Sequence, residues 1–168
     1  VYDASPEHRQ EIAALGYADR IATSPADAVE GADLVVLAVP VLAMAEVARA
    51  CAPALKPGAT VTDTGSVKGA VADAFEAWIP AANFAIPGHP IAGTEQSGPA
   101  AGFAELFHNR WVILTPQDRD DAGYAEALAR LTAFWTALGA NVDTMDPPPH
   151  DLMLAVTSHL PHLISYNI

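Results

Sequence analysis

Strands alternating with helices predict an α/β fold, a doubly wound and mostly parallel sheet, over most of this 168-residue chain. Three observations carry that prediction. Residues 32–40, ADLVVLAVP, form an apolar run without alternation, as a parallel strand covered on both faces requires. Ser5-Pro6 and Ser24-Pro25 repeat one helix-start signal, an N-cap serine with proline at the first helical position, and Gly16 and Gly31 supply the stops. Two further strand-like runs, ATVTD at 59–63 and WVILTP at 111–116, are set apart by segments of helical period.

Taken in order, VYD at 1–3 reads as the last residues of a strand, followed by a helix from Pro6 and a short one from Pro25. After the strand at 32–40, VLAMAEVARACAPAL reads as a helix stopped by Lys56-Pro57-Gly58. ATVTDTGS is a strand with its exit loop, and a helix from about Val67 to Trp78 leads to a short strand, NFAIPG. The stretch GHPIAGTEQSG, 88–98, reads as a glycine-rich loop. WVILTP is a buried strand, DAGYAEALARLTAFWTALG an amphipathic helix ending at Gly139, and NVDTM a last strand. Beyond Pro147-Pro148-Pro149 the period is helical to Ile168, with no stop signal. The expected division is therefore 1–146, an α/β domain, and 147–168, the entry helix of a second domain, cut off.

Bulk properties exclude some partners. The formal net charge is −12, and the eight Lys and Arg are spread from Arg9 to Arg130 without forming a basic stripe. Nucleic acid and anionic membrane surfaces are thereby excluded as expected partners. A single cysteine, Cys51, forbids an internal disulfide and suits a reducing compartment. No apolar run approaches a membrane span and no secretory signal opens the chain, so the expected location is the cytoplasm.

In doubly wound folds, ligands lie beyond the carboxyl ends of the strands. Asp3, at the end of the first strand-like segment, stands where an acidic residue accepts hydrogen bonds from an adenosine ribose; a simple turn-forming role is the alternative. A carboxylate there favours NAD over NADP, because it repels a 2′-phosphate. The glycine fingerprint that cradles a pyrophosphate belongs about 20 residues earlier, and nothing in this chain corresponds to it. Val39-Pro40 and Thr64-Gly65 also end strands, either where backbone approaches a dinucleotide or as ordinary strand-to-helix turns.

Six histidines stand at 8, 89, 108, 150, 159 and 162. His8 and His108 read as surface residues, and His150, in the first turn of the last helix, is assigned no role. His89 is held between Gly88 and Pro90, which restrict the backbone and help aim the ring. A neutral imidazole titrates near about pH 6.5 and can take a proton at working pH. Ser66, at the end of a neighbouring strand, is placed to orient that ring. In TSHLPH, Ser158 and His162 are four residues apart on one helix face, while His159 is rotated away. Pro161 kinks the helix by denying Thr157 a donor, making either a polar binding surface or a plain proline bend. His159-x-x-His162 lacks the glutamate of a zinc-peptidase helix, so no metal site is expected.

DTGSVKG, GHPIAGTEQSGPAAGFAELF, NRWVILTP and HDLMLAVTSHLPH, in that order, resemble the prephenate dehydrogenases, with the arogenate and cyclohexadienyl dehydrogenases of tyrosine biosynthesis. The resemblance runs across nearly the whole chain. It implies a Rossmann-type domain lacking its first strand and Gly-rich loop, and a homodimer formed by a helical domain mostly absent here. It implies oxidative decarboxylation of prephenate, or arogenate, with NAD⁺ as cofactor. By resemblance His89 takes the proton of the substrate's ring hydroxyl and Ser66 supports it. Thr94 and Glu95 line the site, and Ser158 and His162 face the substrate. An arginine in the absent part is expected to hold a substrate carboxylate, so the chain alone is expected to be weakly active or inactive. Two readings compete: a β-hydroxy acid dehydrogenase, which would lack GHPIAGTE and usually employs a lysine, and a non-catalytic binding or regulatory relative.

Overall fold

The computed structural model describes residues 1–93 and 96–159, with side chains through Thr157 in the last segment. Two three-stranded sheets share one continuous stretch of chain. In the first, β1 (Leu34–Leu37), β2 (Thr60–Asp63) and β3 (Phe84–Ala85) run parallel in that order. In the second, β4 (Gly88–Pro90) pairs antiparallel with β5 (Trp111–Leu114), which pairs parallel with β6 (Asn141–Thr144). Ile86 and Pro87 link β3 to β4 without leaving the sheet region: Ile86 donates to Val61 and Pro87 accepts from Thr115.

The expected start and stop signals act as read. Helix α1 (Pro6–Leu15) is capped by Ser5 Oγ, which accepts from the His8 amide, and ends at Gly16 in the left-handed region. Helix α2 (Pro25–Val29) is capped by Ser24 in the same way. Helix α3 (Met44–Cys51) lies between short 3-10 turns, and α4 (Lys68–Trp78) follows β2. Helix α5 (Ala122–Ala137) is capped by Asp121, which accepts from the Gly123 and Tyr124 amides. In α6 (Pro147–Leu154) the three prolines occupy the first turn, where a missing N–H costs nothing. The chain then widens to π geometry over Ala155–His159.

One face of β1 is covered by helices and the other only in part: Leu34 is partly buried and Val36 exposed. Val35 and Leu37 pack with Met44, Ala48, Val71 and Phe75 of α3 and α4. Leu34 and Phe84 join a second core, built around Tyr124, Leu131 and Trp135 of α5 and Val112 and Leu114 of β5. β2 is buried along its whole length, so its polar residues Thr60, Thr62 and Asp63 lie in the interior.

Two expectations are modified. Val1–Asp3 is not part of either sheet; the Val1 amino group donates to Arg20 O (2.8 Å) and Ala22 N–H to Val1 O (2.7 Å), a single rung of parallel pairing. His89, read as a loop residue, lies inside β4, opposite Ile113. Gly-His-Pro is a poor strand by propensity; tertiary bonds, described next, impose the conformation.

Candidate active site

The carboxyl ends of β1 and β2, together with β4, bring most of the expected residues to one edge of the sheet. Leu37 pairs with Asp63, so Val39-Pro40 and Thr64-Gly65 leave adjacent strands side by side. Thr64 N–H donates back to Leu37 O (3.3 Å). A cavity of about 570 Å³ opens between Val1–Ser5 and β1, lined by Asp3, Val39 and Pro40 together with the apolar residues of 34–38. Thr64 and Gly65 are not among its lining residues. Asp3 Oδ1 accepts from the Ser5 amide (2.8 Å) and lies 3.3 Å from His8 Nδ1, so Asp3 forms the local turn as well as facing the cavity.

A buried polar cluster fixes β4. Asp63 is fully buried; its Oδ1 accepts from the Gly88 amide (2.9 Å), and its Oδ2 from the Gly65 amide (2.7 Å) and from Lys68 Nζ (2.5 Å). Lys68, also fully buried, donates a second bond to Gly88 O (2.6 Å). The peptide groups on both sides of Gly88 are therefore clamped by one ion pair. Burial pushes the Asp63 carboxyl up and the Lys68 ammonium down, and each partner opposes the other's shift. Three donors converge on the carboxylate. Glycine is required at 88 because an added Cβ would lie 3.0 Å from Thr62 Oγ1 and 3.2 Å from both Asp63 O and Leu114 Cδ2. That is the physical reason for the glycine before the histidine.

His89, 8% exposed, points its Nδ1 at His150 Nε2, 3.0 Å away, with the ring planes at 65°. His150, fully buried, contacts Asp151 Oδ1 through its own Nδ1 (2.8 Å). Asp151 accepts from the Lys68 amide (2.7 Å) and the Gly69 amide (2.9 Å), capping α4 where Val67 has no side chain able to do so. Burial raises the Asp151 carboxyl, but the bonds from Lys68, Gly69 and His150 outweigh it and hold it below the ordinary range.

The placement of the expected residues differs by region. Ser66, half-buried in the turn between β2 and α4, makes no side-chain hydrogen bond among the described residues; Nδ1 of His89 is engaged by His150. His150, to which the sequence assigned no role, thus belongs to the site. Asp63, Lys68 and Asp151 were also missed. The one available signal was acidic: Asp151 beside His150 in a first helical turn, where an anion is free to cap a neighbouring helix. Thr94, Glu95 and His162 lie outside the described residues, as does the side chain of Ser158. No group of three or more His, Cys, Asp or Glu among the described residues is arranged to hold a metal ion.

The sequence profile of the family described as prephenate dehydrogenase, nucleotide-binding domain, matches residues 1–144. The chain belongs to that family. Among individual relatives of the family, it is 45% identical over 168 residues to the cyclohexadienyl dehydrogenase of Zymomonas mobilis, covering all of this chain and 56% of that protein. Its fold is similar to the prephenate dehydrogenase of Aquifex aeolicus in complex with hydroxyphenyl propionate and NAD⁺ (TM-score 0.88, 36% identity, 99% of this chain and 57% of that one). It is also similar to Synechocystis arogenate dehydrogenase (TM-score 0.83, 29% identity, 96% and 56%). The chain spans about half the length of these relatives. No helix among the described residues is long and apolar enough to cross a membrane.

Proposed function

We propose that the protein carrying this chain catalyses the oxidative decarboxylation of prephenate or arogenate with NAD⁺, giving 4-hydroxyphenylpyruvate or tyrosine and CO2. The observation that carries this reading is His89, fixed at the sheet edge in a chain of this family and held through Nδ1 by His150; in this reading Nε2 is the nitrogen that meets substrate.

Asp3 is the one carboxylate among the described residues beside the carboxyl end of β1, suited to ribose hydroxyls and repulsive to a 2′-phosphate. Asp3, Val39 and Pro40 would hold the dinucleotide's adenosine end, with Thr64 and Gly65 along the exit of β2. When bound, NAD⁺ supplies the acceptor for the hydride that leaves the carbinol carbon. His89 Nε2 takes the hydroxyl proton, and the C–O bond becomes a carbonyl. The electrons of the ring–carboxylate bond then flow into the ring as CO2 departs, and the proton returns from His89 to the phenolate oxygen. The chain's contribution is one base and its aim. Ser66, Thr94, Glu95, Ser158 and His162 complete the substrate side in this reading, supported by their positions in the family's motifs.

The same reading divides the chain near residue 146, supported by a family match that stops at 144, with α6 opening a helical domain. It includes a homodimer, supported only by the family resemblance, and a cytoplasmic location, with which the single, disulfide-free Cys51 is consistent. The test is NADH formation by the full gene product with each substrate, before and after His89→Asn. Turnover should fall by roughly 10²–10⁴-fold with NAD⁺ binding intact. Retained turnover would remove His89 from the chemistry.

A further inference from the structure

We propose that His150 and Asp151 are positioning residues that set the tautomer of His89 and stabilise its protonated form, a relay running from β4 through α6 to the N-terminus of α4. This rests on the reading of His89 as the base.

The proton inventory decides the wiring. Asp151 accepts the Lys68 and Gly69 amides, so as a carboxylate it needs the His150 Nδ1 contact to be a donated N–H. Neutral His150 then carries its lone pair on Nε2, the atom 3.0 Å from His89 Nδ1. His89 must donate from Nδ1, which leaves its Nε2 with the lone pair that a base requires. The two rings lie 61 residues apart in sequence and are both buried, so water does not compete for the bond between them.

The division of labour with the ion pair follows from the geometry. Asp63 on β2 and Lys68 on α4 hold the Gly88 peptide and thereby the Cα of His89, but they do not bond the ring. His150 bonds the ring itself. Asp63 and Lys68 also neutralise each other, so Asp151 is the net negative charge that the described residues place behind the base. When His89 gains a proton, its Nδ1–H bond becomes charge-assisted, and His150 passes the polarisation on to a carboxylate. The arrangement is that of a base oriented by a third group, extended by one imidazole.

Two measurements test this. In the chain labelled with ¹⁵N at histidine, at mildly alkaline pH, His89 should be protonated at Nδ1 and bare at Nε2. His150→Phe should return it toward the Nε2–H form that free imidazole side chains prefer. In the full protein, the nearly isosteric Asp151→Asn should lower kcat by roughly 10–100-fold. It should also move the acid limb of kcat/KM down by about one pH unit, because the protonated base has lost its counter-charge. His150→Gln, which keeps an acceptor toward His89, should recover part of what His150→Phe loses. A merely structural role would lower stability and leave the acid limb in place. The relay is overturned if His89 is protonated at Nε2 in the wild-type chain, or if the limb does not move in a folded Asp151→Asn protein. Turnover retained in His89→Asn would instead overturn the base reading, while the tautomer measurement still decides the wiring.

Discussion

The two ends of the site are built by opposite means. At β4, a three-residue strand is held by side chains from β2, α4 and α6, and the bonds from Lys68, Asp63 and His150 that place His89 join residues distant in sequence. Beside β1, the lining is mostly aliphatic, and the segment that carries Asp3 is held by one rung of pairing and by contacts local in sequence, from the Ser5 amide, His8 and Arg9. The contrast teaches where precision is needed. A proton transfer tolerates little displacement of the base, whereas the proposed ribose contact asks for one well-placed acceptor.

Substitutions at the two ends should therefore differ in kind. The largest loss is expected from Lys68→Met, which leaves Asp63 buried and unpaired. It should cost about 3–5 kcal/mol of stability, read by urea unfolding, and a loss under 1 kcal/mol would mean that the pair is not what holds β4. Gly88→Ala should cost about 1–3 kcal/mol by overpacking against Thr62 and Leu114, and turnover should fall further than stability alone explains, since His89 moves with the backbone. At the other end, Asp3→Ala should weaken NAD⁺ by roughly 10-fold, the worth of hydrogen bonds to a charged group, with little change in Tm; titration of NAD⁺ fluorescence quenching reads it, and unchanged affinity would reduce Asp3 to its turn. The smallest effect concerns pH. The Asp151 carboxyl is depressed in the folded chain, so its contribution is present above the unfolded carboxylate value, about 4, and is lost as pH falls through the lower folded value. Tm measured against pH should fall less steeply below about pH 4 in Asp151→Asn than in wild type; parallel curves would contradict this.

The same contrast explains what could be read before any coordinates. Ser5-Pro6, Ser24-Pro25 and Gly16 are local signals, and the helices they mark are where they should be. The apolar run at 34–37 announces burial on both faces; Val35 and Leu37 enter one core and Leu34 packs on the other, but Val36 stays exposed. Gly88 and Pro90 flagged His89 because restricted backbone is visible in one dimension. That the tripeptide is a strand was not visible, since Gly and Pro argue locally against one and the clamp comes from Asp63 and Lys68. His150 was passed over for the same reason: its partner is on another element, and one turn into a helix nothing marks a histidine as buried. The motifs GHPIAGTE and SHLPH pointed to the family, which periodicity alone could not do.

The central claim is that Nε2 of His89 is the atom that takes the substrate's proton. A crystal structure of the full protein with NAD⁺ and hydroxyphenyl propionate tests it most directly. The phenol oxygen should lie within about 2.6–3.2 Å of His89 Nε2, with Nδ1 still bonded to His150. A phenol oxygen bound beyond reach of that nitrogen, with His89 turned inward, would contradict it.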